Sequence, residues 1–467
     1  MLSLLQNQIG AWLKLRRRKD NFGQFKTQLN ALEKVLFGAL KRLHEEGAKL
    51  NPRQHSSAIY SECRKNDQRA VWLLRVWRYY RTKFDQRDDE LLGPTLSAAD
   101  EVVWSCYRQV FQQANLIDPS IMQQPVPLAY IEPLYTPQAI PRDDPPGDLE
   151  SNIDVDFLKK FLAKLPIPIV SLPPACIQAP WWLIYLGHEI GHHLQYDLLP
   201  AWQLVIMFRN LLENTVRAHS TAVDTEKAAE RWANWSKEIF ADAISVCLMG
   251  PWAAWAMNEL EVHDDKNRLK SLNNYPSPVV RMMLLKTIVE QLQTGSPELL
   301  DELSQTTALP DQPILFLNKD LRSEAAADLT LVPPVVNATL RTPLCEMDTM
   351  AGLCSWQSNS FAAYGTVDYW RDGLLGRKAI IPEKSLRTPR LIASAGVAAW
   401  TEVMVIDNEA EREAQRNKLV EKLLKNITEN REEGTRTAEV SSIEATRNFG
   451  NQLADWLLQI NPEELTP

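Results

Sequence analysis

Pro180-Trp-Trp-Leu-Ile-Tyr-Leu-Gly-His-Glu-Ile-Gly-His-His-Leu-Gln-Tyr196 is the stretch whose reading decides the fold. Leu183, Ile184, Leu186, Ile190 and Leu194 recur near helical spacing, Pro180 suits a first turn, and Pro200 marks an end. On that helix His188 and His192 are four residues apart and share a face, so both imidazoles can meet one metal ion. Glu189 lies one residue round, where its carboxylate can reach a water held by that metal. Gly187 and Gly191 are poor helix formers, and close approach of another backbone or of a substrate would explain them.

Downstream, Trp235-Ser-Lys-Glu238-Ile-Phe-Ala-Asp242 reads as a second helix with Glu238 and Asp242 on one face. Catalytic zinc takes three protein ligands, and two histidines with a glutamate form one such set. Glu238 is therefore the expected third ligand. Asp242 is the expected acceptor for the second ring N–H of a ligating histidine. His219 stays open as a rival third ligand, although it has no acidic partner one turn on. His193 points a quarter-turn away from His192, toward a surface or supporting role.

These motifs resemble those of the gluzincin metallopeptidases, with His-Glu-x-x-His on one helix and Glu-x-x-x-Asp on the next. The stretch between His192 and Glu238 is longer than in the thermolysin branch. It is more similar to the CAAX prenyl-protease and heat-shock membrane protease group, whose second motif often reads Glu-x-x-Ala-Asp, as Glu238 to Asp242 does here. That group also carries His-Pro-x-x-x-x-Arg. This chain has Tyr275-Pro-Ser-Pro-Val-Val-Arg281, with tyrosine in the histidine's place. The resemblance spans about residues 165–285. It implies a zincin-like metallopeptidase core, one zinc per chain and a protein or peptide substrate.

The mechanism that follows from the resemblance gives each residue a task. His188, His192 and Glu238 hold the zinc, and Glu189 is the general base. Tyr275 is the candidate donor to the oxyanion, with His263 and Tyr185 as alternatives. Arg281 pairs with a carboxylate at that corner or lies on the surface. Two function classes stay open: a zinc metalloendopeptidase, and a catalytically degenerate peptidase-like module that binds a protein or peptide. Hydrolysis of a non-peptide amide is a third reading.

Composition narrows the field. A chain of 467 residues offers about three domains' worth of length. Lys and Arg number 51 against 59 Asp and Glu, for a net charge of −8, so nothing draws the chain to nucleic acid or anionic lipid. The run Arg16-Arg17-Arg18-Lys19 reads as a solvated helix end. No stretch of about twenty apolar residues and no secretory leader is evident, so a cytoplasmic location without membrane partners is expected. The six cysteines are scattered without a Cys-x-x-Cys pair, which fits reduced thiols. Cys176, upstream of His188, reads as a buried structural residue rather than a thiolate blocking the metal.

The expected fold class is mainly α (α+β), with a small edge-stranded sheet in the core and helical regions on either side. Residues 1–120 read as a helical domain, with Leu29, Leu32, Leu36, Leu40 and Leu43 in one stripe. Residues 121–164 read as a proline-rich linker or strap, since Pro133, Pro137, Pro141, Pro145 and Pro146 exclude a helix. Residues 165–300 form the core. Within it Ile167-Pro-Ile-Val-Ser-Leu-Pro173 reads as a strand held to a sheet edge by its prolines. Residues 301–467 read as irregular over 303–345, then helical over 386–406 and 408–433. A last helix has a capping box at Ser441 and Glu444. The flanking helical regions offer surfaces for a regulatory partner.

Overall fold

The computed structural model describes residues 1–17, 25–50, 55–140, 167–221, 224–261, 263–317, 319–356, 364–380, 388–432, 436 and 441–459. Arg18 and Lys19 of the basic run, residues 141–164 of the strap, residues 165–166 of the expected core and the side chains of Ser441 and Glu444 lie outside these. The fold is mainly helical with a small sheet.

Four helices open the chain: α1 (Leu2–Arg16), α2 (Lys26–Ala48), α3 (Ser56–Asp85) and α4 (Gly93–Ile117). In α2 the five leucines of the expected stripe are all buried. Three strands follow, β1 (Leu128–Ile131), β2 (Gln138–Ile140) and β3 (Ile169–Leu172). The central helices are α5 (Leu186–Asp197), α6 (Gln203–His219), α7 (Thr225–Asn234), α8 (Ser236–Met249), α9 (Trp252–Leu260) and α10 (Pro278–Leu292). Then come α11 (Pro297–Thr306), α12 (Leu321–Leu329), α13 (Val332–Arg341), α14 (Tyr364–Leu374), α15 (Pro389–Met404), α16 (Glu409–Glu429) and α17 (Ser441–Gln459). Among the described residues no helix is long and apolar enough to cross a membrane.

The apolar interior forms two clusters that do not follow chain order. One joins α1, α2 and α3 to the last helix, α17. There α2 and α17 meet almost backbone to backbone, since a Cβ on Gly450 would lie 2.8 Å from the Val35 carbonyl oxygen. The other cluster takes in α4 together with α5, α8 and α15. The expected boundary at residue 120 is therefore not where the clusters divide. The reason is α4 itself: Val102, Val103, Trp104, Tyr107, Val110 and Phe111 are all buried, and a helix apolar on every side must be enclosed. A buried fork from Arg87 to Asp100, with a further bond to the Ala129 carbonyl, ties α4 to β1.

Two expectations about the chain's course are corrected. The strand Ile169–Leu172 is the centre of its sheet, not an edge; the order is β1-β3-β2. Its prolines, Pro168 and Pro173, flank the ladder and leave its hydrogen bonds intact. The edge on the β3 side away from β1 is β2, which comes from the segment read as a strap. Residues 303–345 are also largely helical, in α11, α12 and α13. Pro333 and Pro334 fall in the first turn of α13, where the missing N–H has no helical partner to lose.

The glycines of the opening motif have a packing reason. A Cβ on Gly187 would meet Met249 Cγ at 2.5 Å and Ser245 Oγ at 2.9 Å. One on Gly191 would meet Ile244 Cγ2 at 2.6 Å and the Ala241 Cα at 2.8 Å. Helix α8 thus lies directly on α5, with no room for a side chain between them. Gly191→Ala is expected to destabilise the fold by about 1–3 kcal/mol, since backbone must shift to admit the methyl. Gly10→Ala, where the nearest atom is Phe37 Cζ at 3.7 Å, should instead be neutral or stabilising by up to ~1 kcal/mol. Denaturant midpoints of the two variants check this, and equal midpoints would contradict it.

Candidate metal centre

Helices α5 and α8 face each other across the glycine contact, and each presents side chains able to ligate a metal. His188 and His192 come from α5, Glu238 from the first turn of α8. Among the described residues these three form a group able to hold a metal ion, with one ligand atom from each within 4.8 Å of the others. The Nε2 atoms of His188 and His192 are 3.1 Å apart. Glu238 Oε2 lies 3.4 Å from His188 Nε2, and Oε1 lies 3.6 Å from His192 Nε2. Ligands about 2.1 Å from a tetrahedral zinc stand about 3.4 Å from one another, so the donor triangle has the right size.

The supporting residues fall where a ligating histidine needs them. Asp242 Oδ1 lies 2.8 Å from His188 Nδ1. Arg281 forks onto the same carboxylate, Nε to Oδ2 and Nη2 to Oδ1, each at 2.8 Å. Its Nη1 reaches Glu261 at 2.9 Å, and Nη2 stands 3.7 Å from Glu238 Oε2. Arg281 is buried, so of the two sequence readings the carboxylate-pairing one holds. Glu261 is a member of this network that its sequence context did not reveal.

Electrostatics follow from this crowding. Burial opposes charge on Asp242, but the Arg281 guanidinium and the His188 ring outweigh it and hold the carboxyl well below its usual range. Burial likewise works against Glu238, and His188, His192 and Arg281 reverse the effect. Burial also disfavours a charged His188, yet contact with Asp242 and the charges of Glu238 and Glu189 push it up to about 10. For His192 burial prevails and lowers it to about 4. The surroundings thus push the two imidazoles of one motif in opposite directions, His188 toward holding a proton and His192 toward losing it.

Glu189 is buried beside the triangle. Its Oε2 accepts from the backbone N–H of Ala139 at 2.5 Å. Ala139 sits opposite Val170 of β3, and because its N–H turns to Glu189, this is a non-hydrogen-bonded pair of the ladder. The outer edge of β2 therefore faces the site. Burial raises Glu189 above the usual carboxylate range, against the lowering pull of His188 and of the Ala139 N–H. Pro137 and Pro141 bracket β2 in the sequence, and that pattern suits an edge strand as well as a strap.

A cleft of about 760 Å³ opens over these groups. Tyr275, His263, Tyr135 and Tyr196 line it together with His188, Glu189, His192 and Glu238. The charge of Glu238 is the main cause raising the Tyr275 phenol, whose side chain is half-exposed at the mouth. Tyr185 also lines the cleft, but its hydroxyl donates to the Ala256 carbonyl at 2.6 Å, so that proton is committed. His263 is half-exposed, 3.8 Å from Glu261. His219 is exposed on α6, its Nδ1 2.9 Å from the Thr215 carbonyl, and is not brought to the site. His193 is buried, with Nε2 3.0 Å from the Ile169 carbonyl, so it ties α5 to β3 rather than facing solvent. Cys176 is buried, and burial pushes its thiol up to about 12, which keeps it neutral.

Compared with protein-family models, with curated proteins and with solved structures, the chain matches none.

A metal ion entering the triangle must displace the proton on His188. Binding at neutral pH is expected to release about one proton, and affinity should rise with pH up to about 10, the His188 value. His192, already neutral above about 4, adds no such dependence. Calorimetric titration in buffers of different ionisation enthalpy measures the released proton. Release of none would show that His188 is not displaced on binding.

Proposed function

We propose that the chain is a zinc-dependent metalloendopeptidase that hydrolyses peptide bonds with Glu189 as general base. The observation that carries this reading is the donor triangle of His188, His192 and Glu238 with a buried carboxylate, Glu189, beside it. Two imidazoles and one carboxylate are a donor set used by catalytic zinc, which keeps a further position open. A zinc held there supplies Lewis acidity and lowers the pKa of a water it binds toward about 7.

The chain's own residues then divide the work. Glu189 Oε2 is engaged by Ala139, and among the described residues no hydrogen bond to its other oxygen is seen. That oxygen takes the proton of the attacking water and passes it to the leaving amine. A carboxylate raised by burial suits both halves of this transfer near neutral pH. Asp242 fixes the His188 ring, and Arg281 fixes Asp242. Tyr275 donates to the carbonyl oxygen as negative charge develops on it. The outward edge of β2 presents the Ala139 C=O to an extended peptide, which can add to the sheet there once the Ala139 N–H exchanges Glu189 for the peptide. The motif order of the gluzincins agrees with these assignments.

One observation favours a second reading, a peptidase-like module that binds a peptide without cleaving it. The Ala139 N–H already occupies one oxygen of the base. The same variant separates the two. Glu189→Gln should retain about one zinc per chain and the wild-type fold but lose hydrolysis, because an amide does not accept the proton. A wild-type protein that binds zinc and peptide and cleaves nothing would favour the binding module.

The oxyanion donor has its own test. Tyr275→Phe should lower kcat by roughly 100-fold while zinc content and KM stay near wild type, since the contact is made in the transition state. An unchanged kcat would move the donor to His263, because the Tyr185 proton is held by Ala256.

A further inference from the structure

Beyond the metal triangle, one residue of the cleft wall, Tyr196, is backed by two side chains that the peptidase reading does not use, Lys237 and Trp202. Tyr196 stands one turn past His192 on the same face of α5 and lines the cleft. Lys237, the residue before Glu238 in α8, lies against it and hydrogen-bonds the Tyr196 hydroxyl through Nζ. The same ammonium is 5.1 Å from the centroid of the Tyr196 ring and 5.7 Å from that of Trp202. The Trp202 ring meets Tyr196 edge-on at 5.4 Å. Trp202 is half-exposed and adopts a left-handed backbone, φ 62°, which is unusual for a bulky side chain. Such conformations gather at binding sites, where the surrounding structure holds a side chain in place for contact.

The direction of the Lys237–Tyr196 bond decides what the pair can do. An ammonium carries three protons and no lone pair, so the phenol oxygen accepts from Lys237. The phenol's own proton must point elsewhere, and no acceptor for it is seen among the described residues. Lys237 also has no carboxylate partner among the described residues; its contacts are the hydroxyl and the two rings. The acidic groups of the cleft are differently placed. Glu189, Glu238 and Glu261 crowd together, and Arg281 is taken up by Asp242, Glu238 and Glu261. A patch with protons to donate, a positive charge and aromatic walls complements an oxygen anion. A carboxylate oxygen accepting from Tyr196 would stand roughly 5 Å or less from the Lys237 ammonium, by the length of two hydrogen bonds. Lys237 is partly buried, and attraction at that range remains effective there.

We propose that Tyr196, Lys237 and Trp202 form a substrate subsite for a carboxylate, on an acidic side chain or at a peptide's C-terminus. The proposal rests on the peptidase reading for the identity of its ligand as a peptide. The subsite selects among substrates; it takes no part in bond cleavage.

The test uses the full-length, zinc-loaded protein and quenched fluorescent peptides that differ at one scanned position, Glu, Gln or Leu. Each peptide is made with a free and with an amidated C-terminus. Wild type should favour Glu over Gln at one position, or the free acid over the amide, by roughly tenfold in kcat/KM, mostly through KM. Which arm responds identifies the source of the carboxylate. Lys237→Met should bring the ratio close to one with zinc content retained. Lys237→Gln, which can still donate to Tyr196 without the charge, should do the same. Calorimetry of the same peptides on zinc-loaded Glu189→Gln gives a readout independent of turnover. Preferential binding of the acid peptides that disappears when Lys237→Met is added supports the subsite, even if wild type cleaves nothing and the peptidase reading falls. A ratio that survives both Lys237 substitutions, or equal binding of acid and amide peptides throughout, overturns it.

Discussion

Everything at the candidate metal centre depends on how closely α8 approaches α5. Side chains at Gly187 and Gly191 would collide with Ser245, Met249, Ala241 and Ile244, so the two helices touch almost at the backbone. Glycine inside a helix costs about 1 kcal/mol relative to alanine, and one directly precedes each of His188 and His192. The return is a separation small enough for Glu238 on one helix to reach two imidazoles on the other. With a larger residue at either position, Glu238 could not stand 3.4 Å from His188 Nε2. The helical propensity of the motif is thus set below its optimum by the geometry the ligands need.

Close approach concentrates charge, and Arg281 answers it. Asp242, Glu238 and Glu261 converge on its guanidinium, all largely removed from water. A buried charge of this kind is tolerable only when paired, and removing one partner leaves the other exposed to the full desolvation penalty. The arginine comes from α10, while its partners come from α8 and the end of α9. One side chain therefore links three helices and, through Asp242, sets the orientation of His188. The first turn of α10 begins with Pro278, just after the turn that carries Tyr275, so the same corner fixes both the arginine and the tyrosine.

The sheet is small but decides access. Among the described strands β2 has its outer edge toward the site, and its Ala139 N–H rests on Glu189. The strand that the sequence marks most clearly, β3, works from behind: His193 reaches its Ile169 carbonyl and holds α5 against it. The N-terminal helices and α17 form their own apolar cluster, to which β1 and β3 contribute Leu128, Tyr130 and Ile169. The sheet is thus the seam between the two interiors.

Within single elements the sequence was sufficient. The four-residue spacing of His188 and His192, the one-residue offset of Glu189 and the one-turn offset of Asp242 from Glu238 are properties of one helix each, fixed by 3.6 residues per turn. The leucine stripe of α2 is of the same kind. Tyr196, four residues beyond His192, obeys the same rule and was legible by it. Contacts between elements were another matter. Glu238 and His219 both lie downstream on helices, and only packing brings one to the metal triangle and leaves the other in solvent. Tyr185 and Tyr275 both line the cleft, and only the carbonyl of Ala256 separates a committed proton from an available one. The exchange of roles between β2 and β3, the convergence on Arg281 and the meeting of Lys237 with Tyr196 belong to this second group. Local periodicity states which face of an element a side chain shares; what that face meets depends on distant segments packing together, and the tertiary structure alone decides it.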